Sequence, residues 1–139
     1  MPAKNIYHDV VIEALEADGW TITDDPLTIT YGGRDFFVDL GAERMPIGAE
    51  KGNRKIAVEI QSFLNQSIVR DIEEAVGQYD VYRTLLQEKE PERSLYLAVP
   101  KRIRKPLLIE PFGRLIVEKL ALSVIVFNEQ SRRIIEWTH

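Results

Sequence analysis

Between Lys55 and Pro100 the chain passes from an alternating stretch, through a long amphipathic stripe, to a near-continuous apolar run. That succession constrains the fold more than any other feature. In Lys55-Ile-Ala-Val-Glu-Ile-Gln-Ser-Phe63, a strand points Ala57, Glu59 and Gln61 to one face and Ile56, Val58 and Ile60 to the other. Asn65-Gln-Ser67 then supplies cap residues, and Ile68, Ile72, Ala75, Tyr79, Tyr82 and Leu86 share one stripe, which predicts a helix over 68–87. Ser94-Leu-Tyr-Leu-Ala-Val-Pro100 lacks polar alternation, as a strand buried on both faces does. A strand, a long helix and a second buried strand make a parallel pair through a right-handed crossover.

The flanking segments extend this unit into a mixed sheet. Tyr7 to Asp18 carries an apolar stripe of Val10, Val11, Ala14 and Leu15 and stops at Gly19, so it reads as a helix. Glu13 beside the stripe is either a candidate inward carboxylate or a solvated helix-face residue, as glutamates commonly are. Trp20 to Thr23 alternates as a short strand before the Asp24-Asp25-Pro26 turn. Leu27–Tyr31 and Arg34–Leu40 flank Gly32-Gly33 as a hairpin, and from Gly41 to Asn53 the periodicity disappears, marking a loop. Ile103 to Leu120 is helical in part, interrupted at Pro106 and Pro111. Leu122–Phe127 and Arg133–Trp137 are closing strands around a turn at 128–131. No linker or repeat divides residues 1–139, so the expectation is one α/β domain, a mixed β-sheet flanked by helices.

Two carboxylates interrupt apolar strand patterns: Asp39 in Phe36-Phe37-Val38-Asp39-Leu40, and Glu59. A buried carboxylate needs a partner, a cation or water. The two strands are expected to be antiparallel neighbours joined by the 41–53 loop, where both acids could hold one divalent metal through hard oxygen ligands. The plainer reading satisfies them with arginine or backbone amides. Gln61 shares Glu59's face, and a neutral amide there orients water by hydrogen bonds alone. Gln78 on the long helix could approach the same face, or lie on the surface. His8 and His139 lack metal-ligand spacing, and Lys101-Arg-Ile-Arg-Lys105 is a phosphate contact or a solvated helix start.

Composition excludes some chemistry. With no cysteine there is no disulfide, thiolate nucleophile or zinc-thiolate site. The 18 basic and 22 acidic residues give a net charge of −4, which argues against a protein devoted to gripping phosphate backbones but leaves room for a nuclease with one local basic patch. No apolar run approaches membrane-spanning length and the first residues lack a signal-peptide core, so a cytoplasmic protein is expected.

Asp on one strand and Glu-x-Gln on the next resembles the core of the PD-(D/E)XK, restriction-endonuclease-like superfamily. Met1-Pro-Ala-Lys-Asn-Ile-Tyr-His8, Asp18-Gly-Trp-Thr-Ile-Thr23 with Asp25-Pro26, Val38-Asp-Leu-Gly-Ala-Glu43, Ile56-Ala-Val-Glu-Ile-Gln-Ser-Phe63, Gly77-Gln-Tyr79 and Leu95-Tyr-Leu-Ala98 resemble, over essentially the whole chain, the XisH family of fdxN element excision controlling factors of cyanobacteria. The resemblance implies a restriction-endonuclease-like fold in which Asp39 and Glu59 bind Mg²⁺ or Mn²⁺, with Gln61 at the third catalytic position and Glu13 and Gln78 as possible additions. Both groups usually carry lysine where this chain has Gln61, although some active members of the superfamily carry Glu or Gln there. It further implies a role in programmed DNA excision during heterocyst development, with an XisI-like protein as partner and a recombinase acting alongside. Three readings stay open: a metal-dependent endodeoxyribonuclease, a non-catalytic accessory factor, and a toxin-like nuclease silenced by its partner. A homo-oligomer is also compatible with the sequence.

Overall fold

A computed structural model describes residues 5–45 and 54–138. Its centre is a six-stranded mixed sheet in the order β1-β4-β5-β6-β7-β8. The strands are β1 (Thr21–Asp24), β4 (Leu40–Arg44), β5 (Arg54–Ile60), β6 (Arg93–Pro100), β7 (Val124–Asn128) and β8 (Arg133–Trp137). The hairpin β2 (Leu27–Tyr31) and β3 (Arg34–Val38) forms a separate two-stranded sheet. The helices are α1 (His8–Ala17), α2 (Ile68–Lys89) and α3 (Pro111–Lys119).

The unit expected from the 55–100 pattern is present. β5 and β6 are parallel and joined through α2, and β7 continues the parallel order, while β1, β4 and β8 run antiparallel to their neighbours. Ser67 caps α2 by accepting from the Arg70 amide at 3.2 Å. Side-chain parity along β5 separates two cores. Ala57 joins Ile72, Ala75 and Tyr79 of α2 and Leu27 and Val38 of the hairpin, whereas Ile56, Val58 and Ile60 pack with Val10, Val11 and Leu15 of α1. The hairpin and α2 therefore lie over one face of the sheet and α1 over the other.

The structure departs from the sequence expectation after Val38. The strand expected over 34–40 ends at Val38, Asp39 is a bend, and Leu40–Arg44 is a strand where a loop was expected to begin at Gly41. Packing decides this. Leu40 and Ala42 are fully buried, and a Cβ at Gly41 would stand 2.8 Å from Asp24 Oδ2 and 3.1 Å from Arg93 Nη1, so the residues that weaken the pattern are those the crowded strand admits. The remainder of that loop, with Pro46, Gly48 and Gly52, lies outside the described residues, as does His139. The interrupted helix resolves into a 3-10 turn at Lys101–Ile103, a π-helical turn at Lys105–Ile109 and α3, which starts on Pro111. No helix among the described residues is long and apolar enough to cross a membrane.

Candidate functional site

Asp39 and Glu59 meet where the hairpin hands the chain to the main sheet. β4 and β5 pair antiparallel with Leu40 opposite Val58, which sets the residue before Leu40 beside the residue after Val58. The Asp39 amide donates to Glu59 Oε1 at 3.3 Å, and the Ile60 amide donates to Asp39 Oδ2 at 2.8 Å. Glu59 is 7% exposed and Asp39 half-buried.

The electrostatics of the pair are one-sided. Burial, then the charge of Asp39 and a side-chain hydrogen bond with it, push the Glu59 pKa up to about 9, opposed only by the backbone hydrogen bond at Asp39. Glu59 thus keeps its proton at neutral pH. Tyr82 on α2 feels the same site: its hydroxyl pKa is raised by burial first and then by the charges of Glu59 and Asp39.

At the end of β5 the Gln61 amide donates to Ala98 O at 3.0 Å, extending the ladder to β6. Its side-chain Nε2 donates to Gln78 Oε1 of α2 at 2.5 Å. Arg102 donates to the carbonyls of Ser62 and Phe63, holding the next two residues where Phe63 takes a left-handed φ of 53°.

The chain matches the family described as XisH protein over residues 1–135. The chain belongs to the XisH family. The crystal structure of an XisH family protein from Nostoc punctiforme PCC 73102 superposes with a TM-score of 0.86 at 36% identity, covering 97% of this chain and 100% of that one. That of an fdxN element excision controlling factor protein from Anabaena variabilis gives 0.85 at 37% identity, covering 98% and 100%. No curated protein matches the chain.

Of the site residues expected in this XisH chain, the fold brings Asp39 and Glu59 into contact and joins Gln61 to Gln78. Glu13 stands apart. It lies on α1, over the opposite face of the sheet, half exposed and paired with Arg132. The two acids are not part of any cluster of three or more potential metal-binding His, Cys, Asp or Glu residues among the described residues. Two contributors escaped the sequence. Tyr82 reads as one more member of the α2 stripe, and Arg102 as one charge in a basic run; neither carries a local signal of its neighbours.

Proposed function

We propose that this XisH chain is an excision controlling factor acting on DNA, with a nuclease-type site in which Asp39 and Glu59 hold one divalent cation, Mg²⁺ or Mn²⁺. Glu59 carries the reading: a buried strand carboxyl beside a second carboxyl, its pKa raised to about 9 with one backbone hydrogen bond in opposition. A hard cation stabilises both carboxylates in ionised form, displacing the proton that Glu59 otherwise retains. The donor set suits such an ion, since both groups offer oxygen.

When bound, the metal would supply an activated water and stabilise charge on a phosphodiester. The protein's part is positioning. Asp39 and Glu59 ligate, and Gln61, its amide committed to Gln78, keeps its carbonyl oxygen to orient a water. Gln61 adds no positive charge where the superfamily resemblance implies lysine, so the site stabilises a developing anion less than a lysine-bearing one. That neutral amide pair favours a second reading, in which the site is a relic and the chain serves as a non-catalytic accessory factor working through an XisI-like protein.

Plasmid nicking by the purified chain in Mg²⁺ and Mn²⁺, beside Glu59→Ala, separates them. Metal-dependent nicking abolished by Glu59→Ala supports the nuclease reading. Absence of nicking supports the accessory reading, and absence of metal binding overturns the nuclease reading.

A further inference from the structure

On the opposite face of the sheet from the Asp39–Glu59 pair, a cavity of about 320 Å³ is bounded by Trp20, Tyr96, Trp137, Arg44, Arg54 and Asp18. Its floor is aromatic and buried: Trp20 is 3% and Tyr96 6% exposed, and Trp137 packs edge-on against Tyr96 with ring centroids 5.1 Å apart. Arg44 and Arg54 both lie over the Trp20 ring, with guanidinium carbons 4.9 and 5.5 Å from its centroid. They are cross-strand partners at the end of the β4–β5 ladder.

This arrangement is incomplete by itself. Like charges directly opposite on a ladder repel, and no carboxylate among the described residues lies within 4 Å of either guanidinium. Two donors in the cavity wall, Trp20 Nε1 and Arg44 Nε, are buried without a hydrogen-bond partner, a state that buried polar groups rarely keep. The one acid in the wall, Asp18, accepts from Trp137 Nε1 at 3.2 Å. Paired guanidinium forks suit phosphate oxygens, and flat indole and phenol rings suit a base. The volume lies at the lower end of the range for small-molecule sites.

We propose that this cavity binds a nucleotide, with its phosphate between Arg44 and Arg54 and its base against the Trp137–Tyr96 wall. The site is separate from the metal pair. Arg54 and Glu59 are five residues apart on β5, roughly 17 Å along an extended strand, and on opposite faces of the sheet. The nucleotide phosphate belongs either to a free mononucleotide or to the phosphorylated end of a DNA strand.

Trp20 and Trp137 are the protein's two tryptophans, and both line this cavity, so fluorescence excited selectively in tryptophan reports on it. The full chain, in EDTA, is titrated separately with dAMP, a 5′-phosphorylated single-stranded oligonucleotide and inorganic phosphate. The expected result is a saturable change with dAMP or the oligonucleotide, weakened at least tenfold by Arg54→Gln and by Arg44→Gln and unaltered by Glu59→Gln. Equal response to dAMP and oligonucleotide assigns the site to free nucleotide; response to the oligonucleotide alone assigns it to a strand end. Arg54 is exposed at a strand terminus, so Arg54→Gln tests binding even if Arg44→Gln fails to fold, and Arg54→Lys should bind with intermediate strength. The proposal is overturned by the absence of a saturable change with any ligand, by a response to inorganic phosphate alone, or by binding that Arg54→Gln leaves intact.

Discussion

Asp39 and Glu59 are locked into one another through the backbone: the Asp39 amide bonds the Glu59 carboxyl at 3.3 Å, and the Asp39 carboxyl bonds the amide of Ile60, next to Glu59, at 2.8 Å. Each acid thereby ties itself to the other's strand, and Glu59 is held against the charge of Asp39. The protein holds two carboxyl groups together at the cost of keeping one protonated.

The pH dependence of stability follows from that proton. Folded Glu59 releases it near pH 9, whereas the group's ordinary value is 4.5. Between those values the folded state binds more protons than the unfolded one, so stability contributed by Glu59 falls as pH rises across the window and levels above it. Glu59→Gln keeps an acceptor for the Asp39 amide and has no proton to lose. It should flatten the decline and add about 1–3 kcal/mol at pH 8, a fraction of what the full shift implies once relaxation and water access are allowed for. Urea unfolding from pH 5 to 9 measures both; parallel curves for the two proteins would refute the coupling.

Metal binding should release a proton. At pH 7.5 a cation taking up both carboxylates must displace the one on Glu59, so about one proton per ion is expected. Calorimetry with Mn²⁺ in buffers of different ionisation enthalpy counts it. Saturation at a hundredfold over Kd should stabilise the fold by about 2.7 kcal/mol, and Asp39→Asn should remove both effects.

Gln61→Lys should speed metal-dependent nicking about tenfold or more, because it places a positive charge on the face of Glu59. The substitution also breaks the donation to Gln78, leaving an exposed amide that water can satisfy, so the unfolding midpoint should move little. Nicking rates equal to those of the native chain would remove Gln61 from the reaction.

Tyr79→Phe tests how α2 is pinned to the sheet. The Tyr79 hydroxyl donates to Leu95 O and accepts from the Ser123 amide, each at 3.1 Å, bridging β6 to the start of β7 from a side chain that is 2% exposed. Its removal orphans a carbonyl and an amide and should cost about 1–3 kcal/mol, without altering metal affinity.

Gly113→Ala probes the junction between the π-helical turn and α3. A Cβ there would fall 2.1 Å from Pro106 O and 2.6 Å from Leu107 Cα, backbone atoms that cannot swing aside. A loss of about 1–3 kcal/mol is expected from such overpacking, visible as a lowered thermal midpoint. A variant as stable as the native chain would mean that α3 is free to lift from the turn.

Local pattern carried the sequence far along this chain. The alternation of 56–61 determined which side chains of β5 face α2, and the stripe of 68–87 determined the helix that joins β5 to β6, because both periods are properties of backbone geometry read within a few residues. Asp39 and Glu59 were legible as a pair for the same reason. What lay beyond the sequence was whatever depends on residues distant in it. Leu40–Arg44 is a strand because it pairs with β1 on one side and β5 on the other and buries Leu40 and Ala42, and Glu13 turns to Arg132 because α1 covers the far side of the sheet. Likewise, Trp20, Arg44, Arg54 and Trp137 carry no common motif, and they share a cavity because the sheet order sets β4 and β5 between β1 and β6. The sequence by itself determined most of the elements and the two acids; the tertiary structure decided the strand at Leu40–Arg44 and the neighbours, and with them the proton on Glu59, since burial and the charge of Asp39 act through space and not along the chain.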